Sequence, residues 1–463
     1  MTHSEGNNPL RVLIAGGGIA GLTAAIALCL QGHDVQVFEQ SSLLRHTTAS
    51  GNAVFCAPNC TVLLNRLGID LAQERGLAYG GAKFLDSDCD VLHFERTSDE
   101  QRASWIAEWY LISRVDLHNA LRRTALERGV KIHTSASIQS IDPEKATMTI
   151  AADLPRSHEL DNNSNNNNNH THTQSTSSNN SNGTSTTTIP GTLIIGADGV
   201  HSATRTHIVR TPSHEAPTVF SSGACCYRFL IPTATLQNNP ITSIFVEKPQ
   251  GVFVHCAGED RRLVMYPCSL GETMNCVAIV PTAEVGEIKR GRTDYDQVAN
   301  KMQLKAHFAH FAQPIQQLLD MVPDDGIRLY DLFDMEDLPS LIRDKAVLIG
   351  DAGHPFQPHI GQGAAQAIED ACALGVVMSR DATPESVPAR LQLWQSLRKE
   401  RVSKVMALTR ARKQPAYWNK TQPKGDKGLA EAYAYCIHHN AWTNAEEQLK
   451  AWEGGKVAAR GSS

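Results

Sequence analysis

Short, wholly apolar runs punctuated by glycine set the rhythm of the first forty residues. Arg11–Ala15 reads RVLIA, a glycine-rich turn follows at Gly16-Gly17-Gly18, and an alanine- and leucine-rich stretch then reaches Gly32. A second apolar run, 35–38, ends on Glu39. Continuous apolar strands flanking a helix predict a βαβ unit with its two strands parallel. The pattern of strand, turn and helix returns twice. Residues 191–195 run into Gly196-Ala197-Asp198-Gly199-Val200-His201-Ser202, with a helix predicted from Ser202. Residues 346–349 run into Gly350-Asp351-Ala352-Gly353-His354-Pro355, a proline- and glycine-rich loop, and a helix predicted from Gly363.

Between these two motifs the rhythm changes. Residues 224–231, 241–247, 252–257, 262–267 and 275–281 are short β-rich runs separated by turn residues, and they predict an antiparallel sheet. Residues 301–321 read as helical. One stretch, 161–188, is almost entirely Asn, Ser, Thr and His. It carries too little apolar surface to offset its ordering entropy and is predicted to be a disordered loop expanding a hairpin between 146–151 and 191–195. Such lengthening costs little, because closure entropy grows with the logarithm of length. His170 and His172 lie in it without Cys or acidic companions, so they read as linker residues and no metal site is expected.

Composition narrows the class. A chain of 463 residues holds two or three domains. Lys+Arg 43 against Asp+Glu 48 leaves a net charge of −5 without a basic patch, which argues against nucleic acid as a partner. There is no secretory signal pattern and no run of 18 apolar residues, so no membrane span is expected. Eleven cysteines are scattered without a CxxC pair. Cys29, Cys276 and Cys372 sit in apolar runs, and the adjacent Cys225 and Cys226 fit a core strand; reduced thiols and a cytoplasmic location are expected.

The chemistry begins at the first turn. Gly16, Gly18 and Gly21 form GxGxxG between a strand and a helix. The first allows the tight turn, the second lets a pyrophosphate approach the backbone, and the third lets helix and strand pack closely. The helix N-terminus offers free N–H groups to phosphate, and Glu39 is placed for a ribose diol. This turn predicts a dinucleotide and leaves NAD and FAD open.

Taken together, the three motifs resemble those of the flavoprotein aromatic monooxygenases, in particular the salicylate-hydroxylase-like members. The resemblance spans residues 11–380. It implies that GxGxxG binds the ADP half of FAD. Asp198 then belongs to a motif near the FAD pyrophosphate that is linked to NAD(P)H use, and Asp351 would bond the ribityl chain. It implies further that Arg114, in Leu111-Ile-Ser-Arg114-Val-Asp-Leu117, contacts the flavin side. Gly361, Gly363 and Ala364 would offer backbone N–H groups to the flavin pyrimidine edge. A helix N-terminus there also suits a reduced flavin's negative charge. The chain departs from the family after the glutamate strand: Asn52 stands where a backbone contact to FAD is usual. His354 belongs to the motif as a structural residue, and His359 follows it.

The resemblance implies an α/β fold: a Rossmann-like FAD-binding domain (1–85, 110–215, 335–385), an inserted antiparallel-sheet substrate domain (216–334, with 86–109 contributing) and a C-terminal helical region (386–463). It implies a single-component FAD- and NAD(P)H-dependent monooxygenase that hydroxylates a small phenolic compound with O₂ through a flavin C4a-hydroperoxide. Arg228 and Tyr266, in adjacent β-runs, are the candidate substrate-facing catalytic pair: a forked cation for a phenolate and a hydroxyl to orient it. Alternatives are a dearomatizing or decarboxylative hydroxylase, an epoxidase, or a non-catalytic flavin-binding sensor. A single GxGxxG argues against a second nicotinamide domain, and the lack of WxWxIP argues against a halogenase.

Overall fold

The computed structural model describes residues 9–42, 53–151, 176–179, 185–209, 218–286, 288, 297–412 and 427–461. The expected α/β architecture is present. Six strands form one sheet in the order Ile342–Arg343, Ala346–Leu348, Leu193–Gly196, Arg11–Ala15, Asp34–Phe38 and Lys131–His133. The first pair is antiparallel and the rest are parallel. The central strands are buried end to end, which is why they read as unbroken apolar runs rather than alternating ones. The helices Ile19–Leu30 and Gly363–Val377 cross so closely that a Cβ on Gly375 would lie 2.6 Å from Ala27 Cβ. Both therefore deliver their N-termini to the same end of the sheet.

A seven-stranded sheet carries the other half of the site. Its order is Arg328–Asp334, Phe220–Pro232, Thr273–Pro281, Arg262–Cys268, Val252–Ala257, Gly81–Asp86 and Val91–Arg96. The period of two sorts its faces. Tyr227, Phe229, Leu263, Met265, Val254 and Cys256 pack into a core with the helices Lys301–His307 and Gln313–Asp320. Arg228, Arg262, Val264, Tyr266, Phe253 and His255 take the opposite face, toward the six-stranded sheet.

Several expectations change. Residues 241–247 are not a strand but a turn and the 3₁₀ helix Ser243–Phe245, because Asn239 Oδ1 accepts from the N–H groups of Ile241 and Thr242 and caps the turn. The helix expected over 301–321 is two helices, the second carrying Pro314 in its first turn, where the missing N–H is harmless. The helix expected from Ser202 spans Arg205–Ile208, because Asp198 takes the preceding N–H groups for itself. Within the stretch expected to be disordered, Thr176–Asn179 and Ser185–Pro190 are paired strands. Threonine is β-branched, and Ile189 opposite Met148 anchors the pairing, so the partner of Thr147–Ala151 is Ser185–Pro190 and not 191–195. His170, His172 and Asn52 lie outside the described residues. The cysteines are free thiols, with Cys29 half-buried and Cys225, Cys226, Cys276 and Cys372 buried.

Candidate active site

A continuous cavity of about 640 Å³ runs between the two sheets, lined by Gly18 and Arg114 at one end and by the polar and aromatic face of the seven-stranded sheet at the other. The three glycines of the turn at its wall are there for separate physical reasons. Gly16 has φ +104°, and a Cβ there would lie 2.4 Å from the carbonyl oxygen of Ala197. A Cβ on Gly21 would lie 2.0 Å from Gly16 O, so this residue lets the helix close on the turn. A Cβ on Gly18 would meet no atom within 4 Å. The protein does not need that glycine; a ligand approaching the backbone does. Glu39 is buried behind the turn, with Oε2 accepting from Gly17 N at 2.8 Å and Oε1 from Ser41 N at 2.7 Å.

Asp351 and Arg114 line the same cavity. The Asp351 carboxyl opens into the cleft yet is crowded by protein. That burial raises its pKa, against the favourable charges of His354, Arg114 and Arg205. Arg114 opens the helix Arg114–Glu127, whose N-cap Ser113 accepts from Val115 N at 3.2 Å. The turn holding Asp351 is braced from behind: Asp370 Oδ2 accepts from Gly350 N at 2.9 Å and lies 2.6 Å from His354 Nε2. His354 is thus buried and structural, as expected. Gly361, at φ +65°, ends the loop, and Gly363 and Ala364 open the long helix at the cavity wall.

Asp198, another of the expected cofactor residues, is engaged by its own turn. Its two oxygens accept from Ser202 Oγ and Thr204 Oγ1, both at 2.6 Å, and from Ala203 N and Thr204 N at 2.7 and 3.0 Å. Its neighbours Ala197 and Gly199 line the cavity instead. Asp198 thus shapes the turn whose backbone reaches the cavity at Ala197 and Gly199.

Arg228 and Tyr266 are brought together on the cavity face. Arg228 lies over the ring of Tyr330 at 5.5 Å, and its Nε donates to Cys226 Sγ at 3.4 Å. Tyr266 donates its hydroxyl proton to Ala53 O at 2.9 Å, and burial holds its pKa above the ordinary value. It is therefore a fixed neutral phenol, able to accept a further hydrogen bond but unsuited to act as a base. Phe55 stands edge-on to it at 4.5 Å, and Phe253 is stacked at 6.3 Å. Trp109 adds a buried indole N–H, without a hydrogen-bond partner among the described residues, to the cavity wall. Sequence reading missed Arg262, His255 and the aromatic wall, and gave His359 no defined role. Alternation could have found Arg262, which shares a face with Tyr266 at an even spacing in one strand.

The residues fit FAD: an open glycine at a helix start, a carboxyl and a cation lining the same cleft, and a second helix N-terminus at its wall. The comparisons agree. A family described as FAD binding domain matches residues 143–409, more than half of the 463, and one described as FAD dependent oxidoreductase matches 11–114. The chain belongs to the FAD-binding-domain family, and several of its relatives are named FAD-dependent monooxygenases. It is 28% identical to hispidin-3-hydroxylase of Neonothopanus nambi over 86% of this chain and 87% of that one. It is 29% identical to 3-amino-4-hydroxybenzoate 2-monooxygenase of Streptomyces platensis over 89% of each. A salicylate hydroxylase–substrate complex shares its fold with a TM-score of 0.68 at 20% identity, over 95% of this chain and 98% of that one.

Proposed function

We propose that this chain is a single-component FAD- and NAD(P)H-dependent monooxygenase that hydroxylates a small aromatic compound. The observation that carries the reading is the shared cavity: the glycine turn, Asp351 and the Gly363 helix start face Arg228, Tyr266 and Phe253 across one continuous space. Gly18, Arg114, Asp351, Gly361, Gly363 and Ala364 would hold the cofactor, with Glu39 toward its ribose. When bound, FAD supplies the redox chemistry by which a nicotinamide-derived electron pair and O₂ yield an oxygen atom for the ring. The protein's share is position, charge and dryness. Phe55, Phe253 and Trp109 exclude water and flank a ring. Arg228 would favour an ionised phenol, the electron-rich form an electrophilic oxygen attacks. Tyr266, its own proton committed to Ala53, cannot bond the phenolate oxygen itself; it accepts from a second donor group on the ring and so sets which ring carbon faces the cofactor.

The test is turnover under ¹⁸O₂ with a panel of phenols, following NAD(P)H oxidation and product mass. Label in the product, with oxidation stimulated by the substrate, is expected. Label from water, or H₂O₂ alone with every phenol, overturns the reading; absence of any stimulated oxidation favours a flavin-binding sensor.

A further inference from the structure

Arg261 and Arg262 are neighbours with opposite surroundings. Arg261 points away from the cavity and pairs with Asp260 at 2.7 Å and Glu284 at 2.8 Å. Arg262 points into the cavity, and among the described residues no carboxylate pairs with it. Its cross-strand neighbours, Ala257 and Ile279, carry no charge. Its hydrogen-bond partner is His359 Nδ1. That histidine ends a chain of fixed direction. Asp334, paired with Arg410 at 2.8 Å, accepts at Oδ2 from Gln357 Nε2 at 2.7 Å. The carboxylate fixes the amide, leaving Gln357 Oε1 to accept from His359 Nε2 at 2.9 Å. His359 thus carries its proton on Nε2 and accepts at Nδ1, so it aims the guanidinium without neutralising it. His255, on the same face, is also neutral: burial, then the charge of Arg262, pushes its pKa down to about 3. Burial pulls Arg262 itself down to about 10, the mark of a cation set in poor solvent without a counter-charge.

We propose that Arg262 is the anion anchor of the cavity, receiving a carboxylate or ionised phenol of a planar aromatic substrate that lies along Phe84 and Phe253, with His359 as the positioning residue that aims it. The two phenylalanines stand 6.3 Å apart at 60°, a corner that a ring can enter. The proposal deepens the aromatic-hydroxylase reading and rests on it for the ligand's aromatic nature.

Binding to the FAD-loaded protein, read by perturbation of the flavin absorbance, tests this without turnover. The probes are benzoate, 4-nitrophenolate and the neutral benzamide. At least one anion should bind saturably, and tighter than benzamide. Arg262→Gln should weaken that anion by roughly 10²-fold, the usual loss for a charged hydrogen-bonding partner, while benzamide changes less than about threefold. Arg262→Lys should recover part of the preference. His359→Leu should lose about tenfold in anion preference, and His359→Asn, which keeps an acceptor, should restore it. A response to benzoate alone assigns a carboxylate, and to 4-nitrophenolate alone a phenolate. Failure of both anions to bind wild-type protein, or an anion-to-amide preference unchanged in Arg262→Gln, overturns the proposal. If Arg262→Gln does not retain FAD, the Arg262→Lys and His359 pair decides by the same ratio. A protein that binds anions through Arg262 but incorporates no ¹⁸O keeps the anchor and loses the hydroxylase reading.

Discussion

Gly16, Gly18 and Gly21 share a motif, but only two of them are needed by the fold. A side chain on Gly21 would collide with Gly16 O, whereas one on Gly18 would enter open cavity. Gly21→Val should therefore destabilise the apoprotein by several kcal/mol, about the cost of a severe overpacking clash. Gly18→Val should fold with a near-normal apoprotein melting curve yet lose FAD affinity by roughly 10²-fold, measured by flavin fluorescence titration, because the backbone is shielded from the pyrophosphate. A Gly18→Val protein that stays yellow would remove the phosphate role of the turn. Asp351 and Asp198 divide similarly. Asp351→Ala should weaken FAD with little change in apoprotein stability, since its carboxyl serves the cleft. Asp198→Ala should cost about 1–3 kcal/mol of stability by orphaning its donors.

At the scale of elements, the long helix Gly363–Val377 is tied down by charge. Glu369 and Asp370, fully buried, meet Arg398 and Arg401 of Val387–Ala411 at 2.6–2.8 Å, and Asn59 Nδ2 donates to Glu369 at 2.7 Å. Burial pushes the Glu369 pKa up, but the two arginines outweigh it and hold it at about 2, below its ordinary 4.5. A carboxylate depressed on folding contributes stability that is fully present above its unfolded pKa and lost as pH falls through the folded one. The window is thus pH 4.5 to 2, and the contribution about 3 kcal/mol. Urea midpoints should fall across this window, and Glu369→Gln should flatten that slope while lowering stability at pH 7. Arg398→Met should cost about 3–5 kcal/mol, because it strands buried carboxylates. The same helix holds the Asp351 turn through Asp370, so Arg398→Met should also loosen FAD.

For the whole molecule, the cavity draws its walls from Gly18 near one end of the chain to Tyr433 near the other. A cofactor spanning it binds the folded form alone and should stabilise it by mass action. At a hundredfold excess over Kd the gain is about 2.7 kcal/mol. The apoprotein should accordingly melt several degrees lower, with the gap growing with the logarithm of FAD concentration. A melting temperature indifferent to FAD would show that the cofactor touches only one layer. Arg228→Ala should leave this stabilisation intact while turnover falls roughly 10²-fold and H₂O₂ rises, the usual loss for one charge-stabilising donor.

Sequence alone determined what depends on neighbours a few residues apart. The βαβ unit, the three strand–turn–helix motifs and the alternating strands follow from local periodicity and glycine's freedom at Gly16, and the FAD-binding family was legible in them. Tertiary structure decided what depends on register and on distant partners. That Ser202 and Thr204 close around the Asp198 carboxylate is not written in its motif. The threonines of 186–188 read as disordered until Thr149, Ile150 and Ala151 offer them a strand to pair with. Arg262 reads as the twin of Arg261. Which of the two enters the cavity rests on pairing with Ala257 and Ile279 and on a hydrogen-bond chain reaching Asp334. A strand's period says that two neighbours face opposite ways; only the packed sheet says which face meets the cofactor cleft.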